Sequence, residues 1–176
     1  MRDSRPRLVI VGGAPGTGKT TLARALASRM NLALVAKDDV KEAIADVLGV
    51  GDRERSRELG AAAYAVMRAI AASTLRAGVG LILEANFDER SRPWLGELAR
   101  VADRRVVLCR ADPELRRRRF AGRERHAVHL DDVILEHEWR DEREYALDLG
   151  APRLVVDTTD GYRPPLDEVV RFAAVA

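Results

Sequence analysis

Five short strand-like runs, alternating with helix-length segments, predict an α/β fold: a parallel sheet with helices on both faces. Two observations carry this. The runs are β-branched and apolar along their length rather than alternating, as strands buried on both faces are. The intervening segments are long enough for the helical crossover that parallel neighbours require. A chain of 176 residues suits one domain over 1–176, and 47% hydrophobic with 33% charged residues excludes a disordered chain. No apolar run reaches the roughly 18 residues a membrane-spanning helix needs. Met1-Arg-Asp-Ser-Arg5 leads straight into a strand without a cleavable apolar segment, so a cytoplasmic protein with no membrane partner is expected.

The elements follow in order. Arg7–Val11 is a β-branched run closed by Gly12-Gly13, and Thr20–Met30 places Leu22, Ala25, Leu26 and Met30 at helical spacing. Leu32–Ala36 reads as the second strand. Asp39 with Glu42 three residues later reads as an acidic capping box for a helix through Leu48, closed by Gly49 and Gly51. A long helix from about Arg53 to Ala77 carries Leu59, Ala63, Val66 and Ile70 on one face and stops at Gly78. Val79–Glu84 is the third strand, and Asp88 or Ser91 caps a helix to about Ala102. Arg104–Cys109 is the fourth. Asp112-Pro113-Glu114 starts a helix, with a cap and proline at the first helical position. Asp131 or Asp132 starts another, reaching roughly Leu147. Arg153–Asp157 is the fifth strand, and Pro164–Val175 the closing helix. The lone Cys109 reads as a small buried hydrophobe.

Between the first strand and helix lies Gly13-Ala14-Pro15-Gly16-Thr17-Gly18-Lys19-Thr20, which matches G-x-x-x-x-G-K-[ST] at every fixed position. The context is the required one. Glycines let backbone N–H groups turn inward around phosphate oxygens, and the loop opens onto a helix N-terminus that favours negative charge. Lys19 is expected to reach the β- and γ-phosphates of ATP, Thr20 to ligate Mg²⁺, and Thr21 to lie near the α-phosphate.

Lys37-Asp38-Asp39-Val40-Lys41 falls at the carboxyl end of the second strand, where ligands bind in open α/β sheets. Asp39 is accounted for as a helix cap. Asp38 is then assigned to accept a proton from an acceptor hydroxyl, with Lys41, one turn on, holding a phosphate or polarising the acceptor. The competing reading is a solvated turn of mixed charge. Glu84-Ala85-Asn86-Phe87 ends the third strand: Glu84 is positioned to hold a water of the Mg²⁺ shell and Asn86 to bind acceptor or order the loop, against a cap or surface salt bridge for Glu84 as the alternative.

Arg116, Arg119 and Arg123 are spaced to share one helix face, and three guanidiniums on one stripe call for an anion such as a triphosphate. They define an arginine-rich lid at about 112–130, expected to be mobile until nucleotide orders it. Arg117 and Arg118 read as a solvated face, and Phe120 as lid-hinge packing. His126, His129 and His137 do not follow a standard zinc spacing and read as lid or surface residues. The net charge of +2 is too small to imply nucleic acid. Of the 30 basic residues three are lysines, and Lys19, Lys37 and Lys41 all fall in the two segments assigned to chemistry.

Taken together, the Gly13–Thr20 loop, Lys37-Asp38-Asp39-Val40-Lys41, Leu83-Glu84-Ala85-Asn86-Phe87 and Arg119-x-x-x-Arg123 resemble the small P-loop kinases of the predicted-kinase group. That group includes the kinase domain of phage-type polynucleotide 5′-kinases and, more remotely, zeta-toxin and chloramphenicol phosphotransferase relatives. The resemblance spans about Leu8 to Asp157. It implies a P-loop NTPase fold with five parallel strands ordered 2-3-1-4-5. It also implies Asp38 as general base, Arg119 and Arg123 as catalytic lid arginines on the nucleotide, and an adenine pocket near Asp157-Thr158-Thr159 with Thr158 on the nucleotide. Lys41 stands where the polynucleotide kinases have an acceptor-binding arginine, and Glu84 where they have aspartate.

The function expected from these readings is ATP- and Mg²⁺-dependent transfer of the γ-phosphoryl group to a hydroxyl of a small molecule. A 5′-hydroxyl polynucleotide kinase is the alternative, disfavoured by an aromatic content of 5% where single strands are gripped by stacked rings. A nucleotide-gated regulatory ATPase is the other; it usually takes its arginine from a neighbouring subunit, whereas this chain has its own. The oligomeric state is left open.

Overall fold

The computed structural model describes residues 5–140, 142–145 and 148–175. Strands β1 (Arg7–Gly12), β2 (Ala33–Ala36), β3 (Leu81–Glu84), β4 (Asp103–Arg110) and β5 (Arg153–Asp157) form one all-parallel sheet in the order β2-β3-β1-β4-β5. The central strand explains the unbroken apolar runs. Leu8 and Ile10 pack on one face with Met67, Leu75, Leu83, Phe87, Trp94 and Leu95, while Val9 and Val11 pack on the other with Leu22, Leu26, Val107, Cys109, Val156 and Val169. The first face is covered by α3 (Arg53–Arg76) and α4 (Arg92–Leu98), the second by α1 (Lys19–Met30) and α7 (Leu166–Ala174). Both faces being dry, neither could carry the polar alternation of a half-exposed strand. Cys109 is a free, fully buried thiol, which burial pushes up to about 12.

Several local expectations are corrected. Helix α2 (Lys37–Leu48) begins two residues before Asp39, on Ala36, with no side-chain cap. Asp39 therefore sits inside the first turn and pairs with Arg24 on the surface, 3.3 Å away. On α3 the buried stripe runs Ser56, Leu59, Ala63, Met67, Ala71 and Leu75, leaving Val66 and Ile70 about 40% exposed. The i, i+4 continuation from Ala63 through Met67 wins because Met67, Ala71 and Leu75 pack on the sheet while Leu59 packs with Ala45 and Val128. Asp88 caps a 3₁₀ turn, Glu89–Ser91, through the Arg90 N–H, and α4 stops at Leu98 rather than Ala102. Helix α5 (Pro113–Ala121) is capped as expected, Asp112 accepting from the Leu115 N–H.

The helix expected from Asp131 to Leu147 does not form as one unit. A single turn, α6 (Asp131–Val133), runs into a π-helical turn, Ile134–Glu138, and the chain is extended at Trp139 before a 3₁₀ turn, Glu142–Tyr145. Leu130, in the left-handed region at φ 51°, precedes α6, so neither Asp131 nor Asp132 caps it. The Leu147 end of that expectation, and the opening residues Met1 to Ser4, lie outside the described residues. Among the described residues no helix is long and apolar enough to cross a membrane.

Candidate active site

The loop from Gly13 to Thr20 joins β1 to α1, at the carboxyl edge of the central strand. Two observations show why glycine stands where it does. Gly16 has φ 79°, and a Cβ there would meet the Arg116 carbonyl oxygen at 2.3 Å. Gly18 has φ 71° and forms the left-handed residue that admits the chain to α1. The turn is pinned from within, the Thr17 hydroxyl donating to the Ala14 carbonyl at 2.8 Å. It is also pinned from just beyond β5, where the Thr158 hydroxyl donates to the Thr17 carbonyl at 2.7 Å.

Lys19, Thr20 and Glu84 come together at the foot of this loop. β3 lies beside β1, which delivers Glu84 to within 3.8 Å of Lys19 Nζ, and the Thr20 hydroxyl donates to Glu84 Oε2 at 3.2 Å. Both charged groups are buried. Burial lowers the Lys19 ammonium against the pull of Glu84, and raises the Glu84 carboxyl against the opposing effect of Lys19. A hydroxyl and a carboxylate at hydrogen-bond distance, beside a lysine and inward-turning backbone, form the oxygen donor set that Mg²⁺ takes alongside nucleotide phosphates, so these residues fit the ion.

A cleft of about 470 Å³ opens from this point. Gly16, Gly18, Lys19, Thr20, Thr21, Arg119, Arg123 and Thr158 line it, with Gly161 and Tyr162 at the far wall. Arg119 reaches across to the end of β5, donating to the carbonyl of Thr158, the residue after the strand, at 2.9 Å. Arg123 lies over the Phe120 ring at 4.1 Å and pairs with Asp131 at 3.1 Å. The expected three-arginine stripe is thus divided. Arg116 turns to the opposite side, 3% exposed, with Nε donating to the Pro15 carbonyl at 3.2 Å. Each guanidinium already has partners, so like-charge repulsion gives no reason for a mobile segment.

Asp38, in the first turn of α2, is close enough to act electrostatically on both Lys19 and Glu84. Burial pushes its carboxyl up, but Lys37 at 3.1 Å and Arg125 at 2.6 Å more than offset this and hold it well below the usual carboxylate range. Arg125 was legible only as part of a histidine-containing stretch, yet it organises this corner. Its guanidinium lies 2.9 Å from His129 Nε2 and 3.5 Å from Asp131. His129 is buried rather than superficial, 2.7 Å from Glu42, and burial lowers its imidazole to about 3, against the pull of Asp38. Arg123 and Arg125 sit two apart in a stretch that is neither helix nor strand, and both reach Asp131.

One assigned residue, Lys41, is directed elsewhere. Lys41 is 4% exposed and donates to the Ser56 hydroxyl at 2.7 Å and the Val128 carbonyl at 3.1 Å, tying α2 and α3 to the segment after Arg125. Burial and then Lys37 lower it to about 8. It does not line the cleft. Asn86 lends its carbonyl to the Tyr64 hydroxyl at 3.1 Å, and its buried Oδ1 has no partner among the described residues.

Residues 8–145 match the AAA domain family model AAA_33. The chain belongs to this family. Over 96% of both chains this AAA_33 domain is 32% identical to a "putative kinase" from Chloroflexus aurantiacus, with a TM-score of 0.77. A gluconokinase from Sinorhizobium meliloti shares the fold at 18% identity and a TM-score of 0.52, over 98% of this chain and 91% of that one. A 46-residue stretch is 48% identical to the uncharacterized protein Rv2004c of Mycobacterium tuberculosis, covering 26% of this chain. The match covers 9% of that protein's length. By family and fold, the chain is a kinase-like P-loop domain.

Proposed function

We propose that the domain is a cytoplasmic ATP- and Mg²⁺-dependent phosphotransferase that moves the γ-phosphoryl group of ATP to a hydroxyl of a small molecule. The observation that carries this is the convergence of Lys19, Thr20 and Glu84 at the foot of the phosphate loop, with an ionised Asp38 near enough to act electrostatically on Lys19 and Glu84. Phosphoryl transfer asks a protein chiefly for position and charge, and this corner offers both. The Gly13–Thr20 backbone and Lys19 hold the phosphates. Thr20 and Glu84 would hold Mg²⁺, which neutralises phosphate charge when bound. Arg119 and Arg123 bring positive charge to the cleft wall, where negative charge develops on the phosphate oxygens in transfer, and Thr158 lines the nucleotide cleft with Tyr162.

Asp38 accepts the hydrogen bond of the acceptor hydroxyl and orients its oxygen toward the γ-phosphorus. The new O–P bond forms as the bond from Pγ to the bridging oxygen breaks, and the hydroxyl proton passes to the Asp38 carboxylate. A carboxylate held so low is a weak base, which suits a loose transition state in which the proton leaves late. The relatives favour a small acceptor: a gluconokinase shares the fold. Among the described residues Tyr162 is the one aromatic ring lining the cleft, a poor platform for a stacked strand.

The test is purified chain with γ-labelled ATP, Mg²⁺ and a panel of sugars, sugar acids, nucleosides, aminoglycosides and 5′-hydroxyl oligonucleotides. Label on a small-molecule hydroxyl is the expected result. Label confined to inorganic phosphate or to oligonucleotide ends contradicts the reading.

A further inference from the structure

From Gly122 to His129 the chain holds one short 3₁₀ turn, Ala127–His129, and is otherwise neither helix nor strand. Its course is set by side chains rather than by a backbone ladder, and the element it lies on is α2. Asp38, Lys41, Glu42, Ala45 and Asp46 follow the i, i+3, i+4, i+7, i+8 spacing of one helix face, and every one of them engages this stretch. Asp38 meets Arg125 at 2.6 Å, Glu42 meets His129 at 2.7 Å, and Asp46 meets His126 at 3.1 Å. Lys41 donates to the Val128 carbonyl at 3.1 Å, and Ala45 shares a buried apolar cluster with the Val128 side chain.

The Val128 junction is the informative one. Asp46 is exposed, and an exposed pair holds little. Lys41, Ser56 and Val128 are all buried, and the Ser56 hydroxyl donates to the same carbonyl at 2.6 Å while accepting from Lys41 at 2.7 Å. A lysine so far removed from water is costly unless its charge and donors are met, yet the hydroxyl and the carbonyl it donates to are both neutral. It takes no part in lining the nucleotide cleft. What it does is join α2, α3 and the Gly122–His129 stretch at one point. That stretch carries Arg123, which lines the nucleotide cleft and is paired with Asp131 at 3.1 Å.

We propose that Lys41, with Ser56, is a positioning residue for nucleotide binding: by fixing the Val128 carbonyl to α2 and α3 it holds the stretch so that Arg123 faces the phosphates before nucleotide arrives. This rests on the reading of Arg123 as a nucleotide-binding arginine. An arginine already in place binds more tightly, because its ordering cost is not charged to the binding step. Without either donor the Val128 carbonyl would be a buried acceptor lacking a partner, and the stretch would shift to bring it to water.

The test is a double-mutant cycle on the affinity of a non-hydrolysable ATP analogue with Mg²⁺, measured by calorimetry on the full chain. Arg123→Ala alone should weaken binding by roughly tenfold or more, the scale of a lost charge-assisted contact. Lys41→Met/Ser56→Ala should weaken it by roughly fivefold or more in the wild-type background and by less than about twofold beside Arg123→Ala, the non-additivity of residues that act through one another. A merely structural loss would be the same with and without Arg123. Lys41→Met alone leaves the carbonyl one donor, so it should give a smaller loss with the same dependence on Arg123, and it replaces the double substitution in the cycle if that chain does not fold. Equal weakening in both backgrounds, or none in either, overturns the inference and leaves the nucleotide site standing. Arg123→Ala binding as tightly as wild type overturns the reading of Arg123, and this inference with it.

Discussion

Replacing Arg125 with alanine should destabilise the domain in a pH-dependent way. Arg125 Nη2 lies 2.6 Å from Asp38 Oδ2 and 3.8 Å from Glu42, with Nη1 3.5 Å from Asp131. The two principal side chains are 16% and 27% exposed, between a surface pair and a fully buried one. Surface pairs contribute up to about 1 kcal/mol and breaking buried ones costs about 3–5 kcal/mol, so a loss of about 1–3 kcal/mol is expected at neutral pH. For a domain of this size that lowers Tm by about 3–10 °C. Arg125 and Lys37 depress the folded-state pKa of Asp38, against burial. The stabilisation is therefore fully present above the unfolded carboxyl value, about 3.9, and is lost as pH falls toward the lower folded one. The gap between wild type and Arg125→Ala should be complete at pH 7 and shrink below about pH 4. Urea unfolding followed by circular dichroism at pH 7 and pH 3 reads it directly. Arg125→Lys, which keeps charge but not the planar fork, should recover part of the loss. An equal loss at both pH values, or none at pH 7, would refute the reasoning.

Other outcomes follow from the same contacts. Asp39→Ala should change stability by no more than about 1 kcal/mol, because Asp39 caps nothing and its pair with Arg24 is exposed; thermal unfolding checks this. Gly16→Ala should abolish nucleotide binding in a calorimetric titration, since both its φ of 79° and the Arg116 carbonyl at 2.3 Å exclude a Cβ. Glu84→Gln should weaken nucleotide affinity in the presence of Mg²⁺ while leaving metal-free affinity nearly unchanged, a difference that parallel titrations resolve.

Much of the fold was legible because its signals are local. A β-branched run buried on both faces is apolar throughout, and Asp112-Pro113 announces a helix whatever surrounds it. The phosphate loop was equally plain. What escaped depends on tertiary contact. Asp39 carried the residue type and spacing of a cap, but α2 begins at Lys37, directly after Ala36, so the capping position falls on alanine. The arginine stripe followed helical spacing, but α5 ends at Ala121, and Arg123 lies beyond it while Arg116 is drawn behind Pro15. Lys41 looked like a ligand-seeking charge. Its partners are Ser56 and Val128, 15 and 87 residues away, and no spacing rule connects them. For the same reason Arg125, 87 residues from Asp38, had no signal of its own.

The central claim is that Lys19 binds the phosphates and Asp38 directs the acceptor, and one paired measurement separates them. Nucleotide affinity and phosphoryl transfer are measured on Lys19→Ala and Asp38→Asn, each checked for wild-type unfolding behaviour. Lys19→Ala should lose both. Asp38→Asn should keep wild-type nucleotide affinity within a few-fold and lose turnover by roughly 10²-fold or more, the scale of a lost general base. Asp38→Asn turning over at the wild-type rate would contradict the account.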